Sequence, residues 1–137
     1  MSIQIKLQYL MIFLLISILD LSCSSKVYTS TEIEGDYKEY STKYFGLLNY
    51  KTNAIYSFGK DSIYTFQGCN YVEGKWYVQG DILYLIDSFE DANGVKNICT
   101  LPYKITKNKI QFKKEYYING NKYTDTTNRN EVLIRIK

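Results

Sequence analysis

From Glu34 to the C-terminus, apolar and polar residues alternate with a period of two, and turn-forming residues break the alternation at short intervals. A period of two sends successive side chains to opposite faces, so each such segment can bury one face of a strand but not one stripe of a helix. The pattern predicts strands over 35–40, 55–58, 62–67, 71–78, 82–87, 95–105, 109–118, 122–126 and 132–136. Turn signals separate them at Gly59-Lys60-Asp61, Gly68-Cys69-Asn70, Gln79-Gly80-Asp81, Asp91-Ala92-Asn93-Gly94, Thr106-Lys107-Asn108 and Asn119-Gly120. Asn119-Gly120 is the strongest, because a type I′ turn needs positive φ at both central residues. Pro102 cannot donate to a ladder and belongs at a bulge or an edge. The 41–53 stretch has no clear period and reads as a loop with one helical turn. About eight or nine short strands joined by hairpins form a meander, and a sheet of that width curls until closure removes its edges. The expectation is all-β, a single small up-and-down antiparallel β-barrel, with a sandwich as the alternative.

Composition narrows the chemistry. The chain has 137 residues, room for one domain, with 15 Tyr and no His. Without imidazole there is no Ser–His triad, no histidine acid–base catalysis and no His-ligated zinc. No nucleophile–base pair stands out, so no catalytic residue, cofactor or metal site is expected. A net charge of +3 from 17 basic and 14 acidic residues is too mild for a nucleic-acid partner. Ile, Lys, Asn and Tyr are all encoded by AT-rich codons, so genome composition accounts for part of their abundance. Three cysteines are too few for a disulfide scaffold and too scattered for a zinc ribbon.

The N-terminus reads as an address. Lys6 precedes an apolar run over 9–19 that spans about 16 Å as a helix, roughly half the hydrocarbon core of a bilayer. A secretory signal fits better than a membrane span. The following Leu21-Ser22-Cys23-Ser24-Ser25-Lys26 resembles the end of a bacterial lipoprotein signal, in which the cysteine becomes the acylated N-terminus. That resemblance implies a signal peptide over 1–22, lipidation of Cys23, and attachment to the cell-envelope membrane, inner or outer. The alternative is a soluble secreted chain cut near Ser22 that leaves Cys23 as a spare thiol. Residues 23–33 read as a polar tether and 34–137 as the folded domain.

A second resemblance lies within that domain. Phe66, Gly74-Lys75-Trp76, Gly80-Asp81-Ile82-Leu83-Tyr84-Leu85 and Tyr103-Lys104-Ile105 resemble the middle of small lipocalin-like (calycin) barrels of bacterial envelope lipoproteins. In the wider group a Gly-x-Trp opens the first strand and a basic residue on the last strand packs over the ring. Gly35-Asp36-Tyr37, with Tyr in place of Trp, and Arg135 match those places, which implies a barrel-closing pair of Tyr37 and Arg135.

The remaining candidates carry open alternatives. Cys69 and Cys99 fall at the same end of a meander, about 14 Å apart across three flat strand steps. They are either a disulfide brought together by curvature or two free thiols. Tyr64, Tyr84 and Tyr103 are candidate ligand-lining side chains, against the plainer reading that Tyr is a good strand former. Lysines 104, 107, 109, 113, 114 and 122 form either an anion-facing surface or the outer face and turns of two strands. The 87–91 segment has acidic residues but lacks an EF-hand pattern. The expected function is therefore non-enzymatic: a lipid-anchored envelope protein binding a small apolar or amphiphilic ligand in or at the barrel. The alternative is a protein–protein interaction module, of inhibitor or immunity type, with a filled barrel.

Overall fold

The structure, a computed structural model, describes residues 25–42, 54–127 and 130–137. Among the described residues one short helix, α1 (Ser30–Ile33), precedes ten strands in a single antiparallel sheet. These are β1 (Gly35–Thr42), β2 (Ile55–Phe58), β3 (Ile63–Gln67), β4 (Tyr71–Gln79), β5 (Ile82–Glu90), β6 (Lys96–Ile105), β7 (Ile110–Phe112), β8 (Glu115–Ile118), β9 (Asn121–Thr124) and β10 (Asn130–Arg135). Pairing runs from β1 through β7 in sequence, then β7 to β10 and β10 back to β1. The result is a closed eight-stranded up-and-down barrel, as the alternation predicts, with β8 and β9 as an additional hairpin.

The predicted 109–118 strand is broken. Lys114 takes a positive φ of 59°, which separates β7 from β8. β7 pairs with the last residues of β6, whereas β8 pairs with Cys99 and Thr100 near its start. Pro102 sits opposite that break. Its carbonyl accepts from the Lys113 N–H at 3.1 Å, so its missing N–H faces the one stretch where no regular ladder asks for a donor.

This break divides the barrel into two levels. At the base, marked by the turns at 59–62, 80–81 and 106–109, the ring is complete. Toward the opposite mouth, residues 71–74 of β4 pair only with β3, and residues 87–90 of β5 pair only with β6, among the described residues. The upper ends of β5 and β6 join β8 and β9 in a flap that departs from the rest of the wall.

Inward-facing side chains fill the middle. Tyr37, Tyr56, Phe58, Tyr64, Trp76, Leu83, Leu85, Tyr103, Phe112 and Leu133 form one buried cluster. Phe58 meets the edges of Tyr37 and Trp76 with ring centroids 5.4 Å apart in both pairs, contacts worth about 0.5–1.5 kcal/mol each beyond burial. Trp76 Nε1 donates to the Gly59 carbonyl at 3.1 Å, so its one polar atom is satisfied at the base turn.

The base is closed by the segment expected to be a tether. The Tyr28 N–H donates to the Gly80 carbonyl at 2.8 Å, and Ile33 of α1 is 3% exposed within the core. Its polar look comes from Thr29, Ser30, Thr31 and Glu32, which make the turn, while Ile33 makes the contact. The Thr29 N–H donates to Glu32 Oε2 at 2.8 Å. Among the described residues no helix is long and apolar enough to cross a membrane. The signal segment 1–22 and Cys23 lie outside the described residues, as does the 43–53 part of the stretch expected to be a loop.

Candidate functional site

Where β4 and β5 part, four side-chain positions share one rung across the inner wall: Tyr64, Gly74, Asp87 and Cys99. Tyr64 registers with Gly74 and Asp87 with Cys99, while the β4–β5 ladder ends one step before Gly74, at Lys75 and Ile86. The Tyr64 hydroxyl reaches over Gly74 and donates to Asp87 Oδ2 at 2.5 Å. Only glycine allows that crossing. A Cβ at position 74 would lie 2.6 Å from both Tyr64 Cε1 and the Ile86 carbonyl oxygen, and closer still to Asp87 Oδ1.

Asp87 Oδ1 is buried and has no hydrogen-bond partner among the described residues. It underlies a cleft of about 380 Å³ cut into the outer wall at the seam. Ile63, Ile86 and Ile98 supply apolar walls, and Glu73, Lys75, Ser88 and Lys96 complete the lining. The site is thus an outer cleft walled by isoleucines, with a carboxylate bound to a phenol on the inner side of the seam beneath it. Burial and the same carboxylate raise the Tyr64 phenol above its ordinary value, and burial followed by the Asp87 charge raises the Cys99 thiol.

A second polar group lies deeper. Glu131 is 2% exposed, and its Oε1 accepts from the hydroxyls of Tyr103 at 2.6 Å and Tyr56 at 3.0 Å. Glu39 is buried beside them on the neighbouring strand. Two phenol donors offset part of the cost of a carboxylate in this interior. Burial, then the Glu131 and Glu39 charges, push the Tyr56 phenol far above its usual range.

The predicted residues separate into groups. Tyr37 and Arg135 are register partners, with the guanidinium carbon 5.1 Å from the ring centroid and Nη2 donating to the Tyr37 hydroxyl at 2.7 Å. Arg135 also donates to the Glu32 carbonyl, tying the last strand to α1. Tyr64 and Tyr103 point inward, but into packed surroundings rather than a central hollow. Tyr84 is a correction. Leu83 and Leu85 face the core, so the period of two puts Tyr84 outside, stacked on Tyr77 at 4.8 Å.

Of the two readings of Cys69 and Cys99, the structure has the free thiols. Cys99 shares its rung with Tyr64, and Cys69 lies five positions farther along in the β3–β4 turn, about 16 Å toward the mouth in addition to the lateral steps. The lysines do not make one surface either. Lys104 pairs with Asp81, Lys113 and Lys122 both pair with Glu115, and Lys107 and Lys109 line a pocket of about 300 Å³ at the base.

Sequence reasoning missed Asp87, Glu39, Glu131 and Tyr56 as interior polar residues. The signal was present in the parity: each carboxylate occupies the apolar phase of its strand, with Leu83 and Leu85, Tyr37, or Leu133. No family model, curated protein or solved structure matches this chain.

Proposed function

We propose that the protein is a non-enzymatic binding protein of the bacterial envelope, anchored through acylated Cys23, whose lipocalin-like barrel takes a small amphiphilic ligand at its wall. The observation that carries this reading is the seam cleft, in which three isoleucines line the outer face and an unpaired carboxylate oxygen of Asp87 lies beneath the seam. A volume of about 380 Å³ suits a small molecule rather than a whole lipid. The packed aromatic cluster argues against a ligand in the barrel's centre.

Two measurements test it. Metabolic labelling with an alkyne fatty acid should tag the wild type and leave Cys23→Ala unlabelled. A fluorescent short-chain amphiphile should saturate one site and lose at least about tenfold in affinity on Ile86→Asp, which puts a charge on the apolar wall. Unchanged affinity in that variant overturns the placement. The filled interior and the exposed Phe89, Val95 and Ile98 of the β5–β6 end favour a second reading, a protein-interaction module. Stoichiometric co-purification of an envelope protein, lost on Phe89→Asp, together with no amphiphile binding, selects that reading.

A further inference from the structure

We infer that the seam cleft recognises a primary alkylammonium, whose protonated amine sits against Asp87 and whose alkyl chain lies along the three isoleucines. The inference rests on the reading of the cleft as a ligand site and adds the chemical class.

The charged groups of the cleft are not equivalent. Glu73, Lys75 and Lys96 are exposed at the rim, and water and salt screen both signs there. Asp87 is half-buried, with Oδ1 shielded from solvent, and a charge there is felt about fourfold more strongly than in water at an effective dielectric of about 20. The floor therefore sets the preference for a cation, and an anionic or carbonyl-ended ligand would meet like charge.

Geometry narrows the cation. The Tyr64 hydroxyl occupies Oδ2 and leaves Oδ1, closed to solvent on the inner side of Gly74, as the one unpaired acceptor, which an ammonium reaches through the seam above Lys75 and Ile86, where the β4–β5 ladder has ended. The Ile86 carbonyl oxygen crowds the same Gly74 position, and Ser88 lines the cleft. An ammonium brings three donors and no acceptor to this set of oxygens, whereas a quaternary amine brings none. Ile63, Ile86 and Ile98 then shield an alkyl chain but offer nothing to a second polar group.

The test uses the full chain in phosphatidylcholine nanodiscs, which contain no primary amine. Affinities for n-hexylammonium, n-hexanol, hexyl sulfate and hexyltrimethylammonium are compared by ligand-observed NMR. Hexylammonium is expected to bind at least about tenfold more tightly than the other three. Asp87→Asn should abolish that preference while still accepting the Tyr64 hydrogen bond, and Glu90→Gln, at an exposed acid outside the lining, should preserve it. Equal or tighter binding of hexanol or hexyl sulfate overturns the amine assignment and leaves amphiphile binding standing. No binding by any probe overturns both. The comparison on the wild-type chain decides even where a variant fails to fold.

Discussion

Gly74 is where a single missing side chain makes room for the site. The Tyr64–Asp87 hydrogen bond crosses it, and the Ile86 carbonyl crowds it from the seam. Gly74→Ala is therefore expected to cost about 1–3 kcal/mol by overpacking, read as a lower urea midpoint with an unchanged m-value. The buried phenols give a pH signature. Tyr56 and Tyr64 both have folded pKa values well above the ordinary value of about 10, chiefly through burial. As pH rises past about 10, the unfolded chain releases protons that the folded chain keeps, so stability falls with rising pH. Thermal midpoints should be insensitive to this effect below about pH 9 and drop above about pH 10, with a shallower drop in Tyr64→Phe. The thiols separate as well. Exposed Cys69 should react with iodoacetamide at least about tenfold faster than Cys99, whose thiolate is disfavoured by burial and by Asp87. Equal rates, or no free thiol, would contradict this placement. At this scale the sequence was partly legible. The Tyr37–Arg135 contact is a register pair that a strand pattern can suggest. Asp87 was hidden, because one acid at the end of an apolar strand looks the same as the start of a loop.

Turns were the most readable elements, because their backbone requirements select residue types. Asn119 and Gly120 have φ of 50° and 83°, as a type I′ turn demands, and Gly80 and Gly94 carry positive φ in their own turns. The break between β7 and β8 was not readable. It depends on positive φ at Lys114, a residue type that announces no turn, and its cause is tertiary: β6 must serve β7 at one end and β8 at the other. The docking of α1 was equally hidden, since one buried Ile33 in a polar run leaves no period. The β8–β9 hairpin lies outside the closed ring, with every β9 side chain exposed. Its attachment uses Asn119, whose side chain accepts from the Ile98 N–H at 2.9 Å and donates to Asn97 at 2.8 Å. Gly120→Val, which forces a β-branched residue to positive φ, should therefore release this hairpin alone. Hydrogen exchange is expected to quicken by about tenfold or more at the β8 and β9 amides and to stay unchanged in β1, β2 and β3. Loss of protection throughout the barrel would show that the hairpin is part of the closing ring.

At the scale of the molecule, the chain enters at one end. The Tyr28 N–H bond to the Gly80 carbonyl places that entry at the base, and the five residues from Cys23 to Tyr28 can span at most about 17 Å. If Cys23 is acylated, the base must lie close to the bilayer. The mouth and its flap then stand away from it by the height of the wall, about 25 Å for a tilted nine-residue strand. Charge agrees with that orientation. Lys26, Lys107, Lys109 and Arg135 surround the base pocket against Glu32, which Lys26 already pairs at 3.1 Å. Basic residues at such a distance each gain about 1 kcal/mol near an anionic leaflet. The seam cleft lies on the side wall and shares no lining residue with the base pocket. A fluorophore placed at Asn108→Cys, in a chain retaining Cys23 with Cys69 and Cys99 replaced by Ser, should be strongly quenched by a headgroup-linked quencher in the membrane. The same fluorophore at Asn93→Cys, in the β5–β6 turn, should be quenched several-fold less. Equal quenching at the two positions would mean that the barrel does not rest on its base, even where fatty-acid labelling of Cys23 succeeds, because the five-residue tether would then leave it free to turn on its anchor.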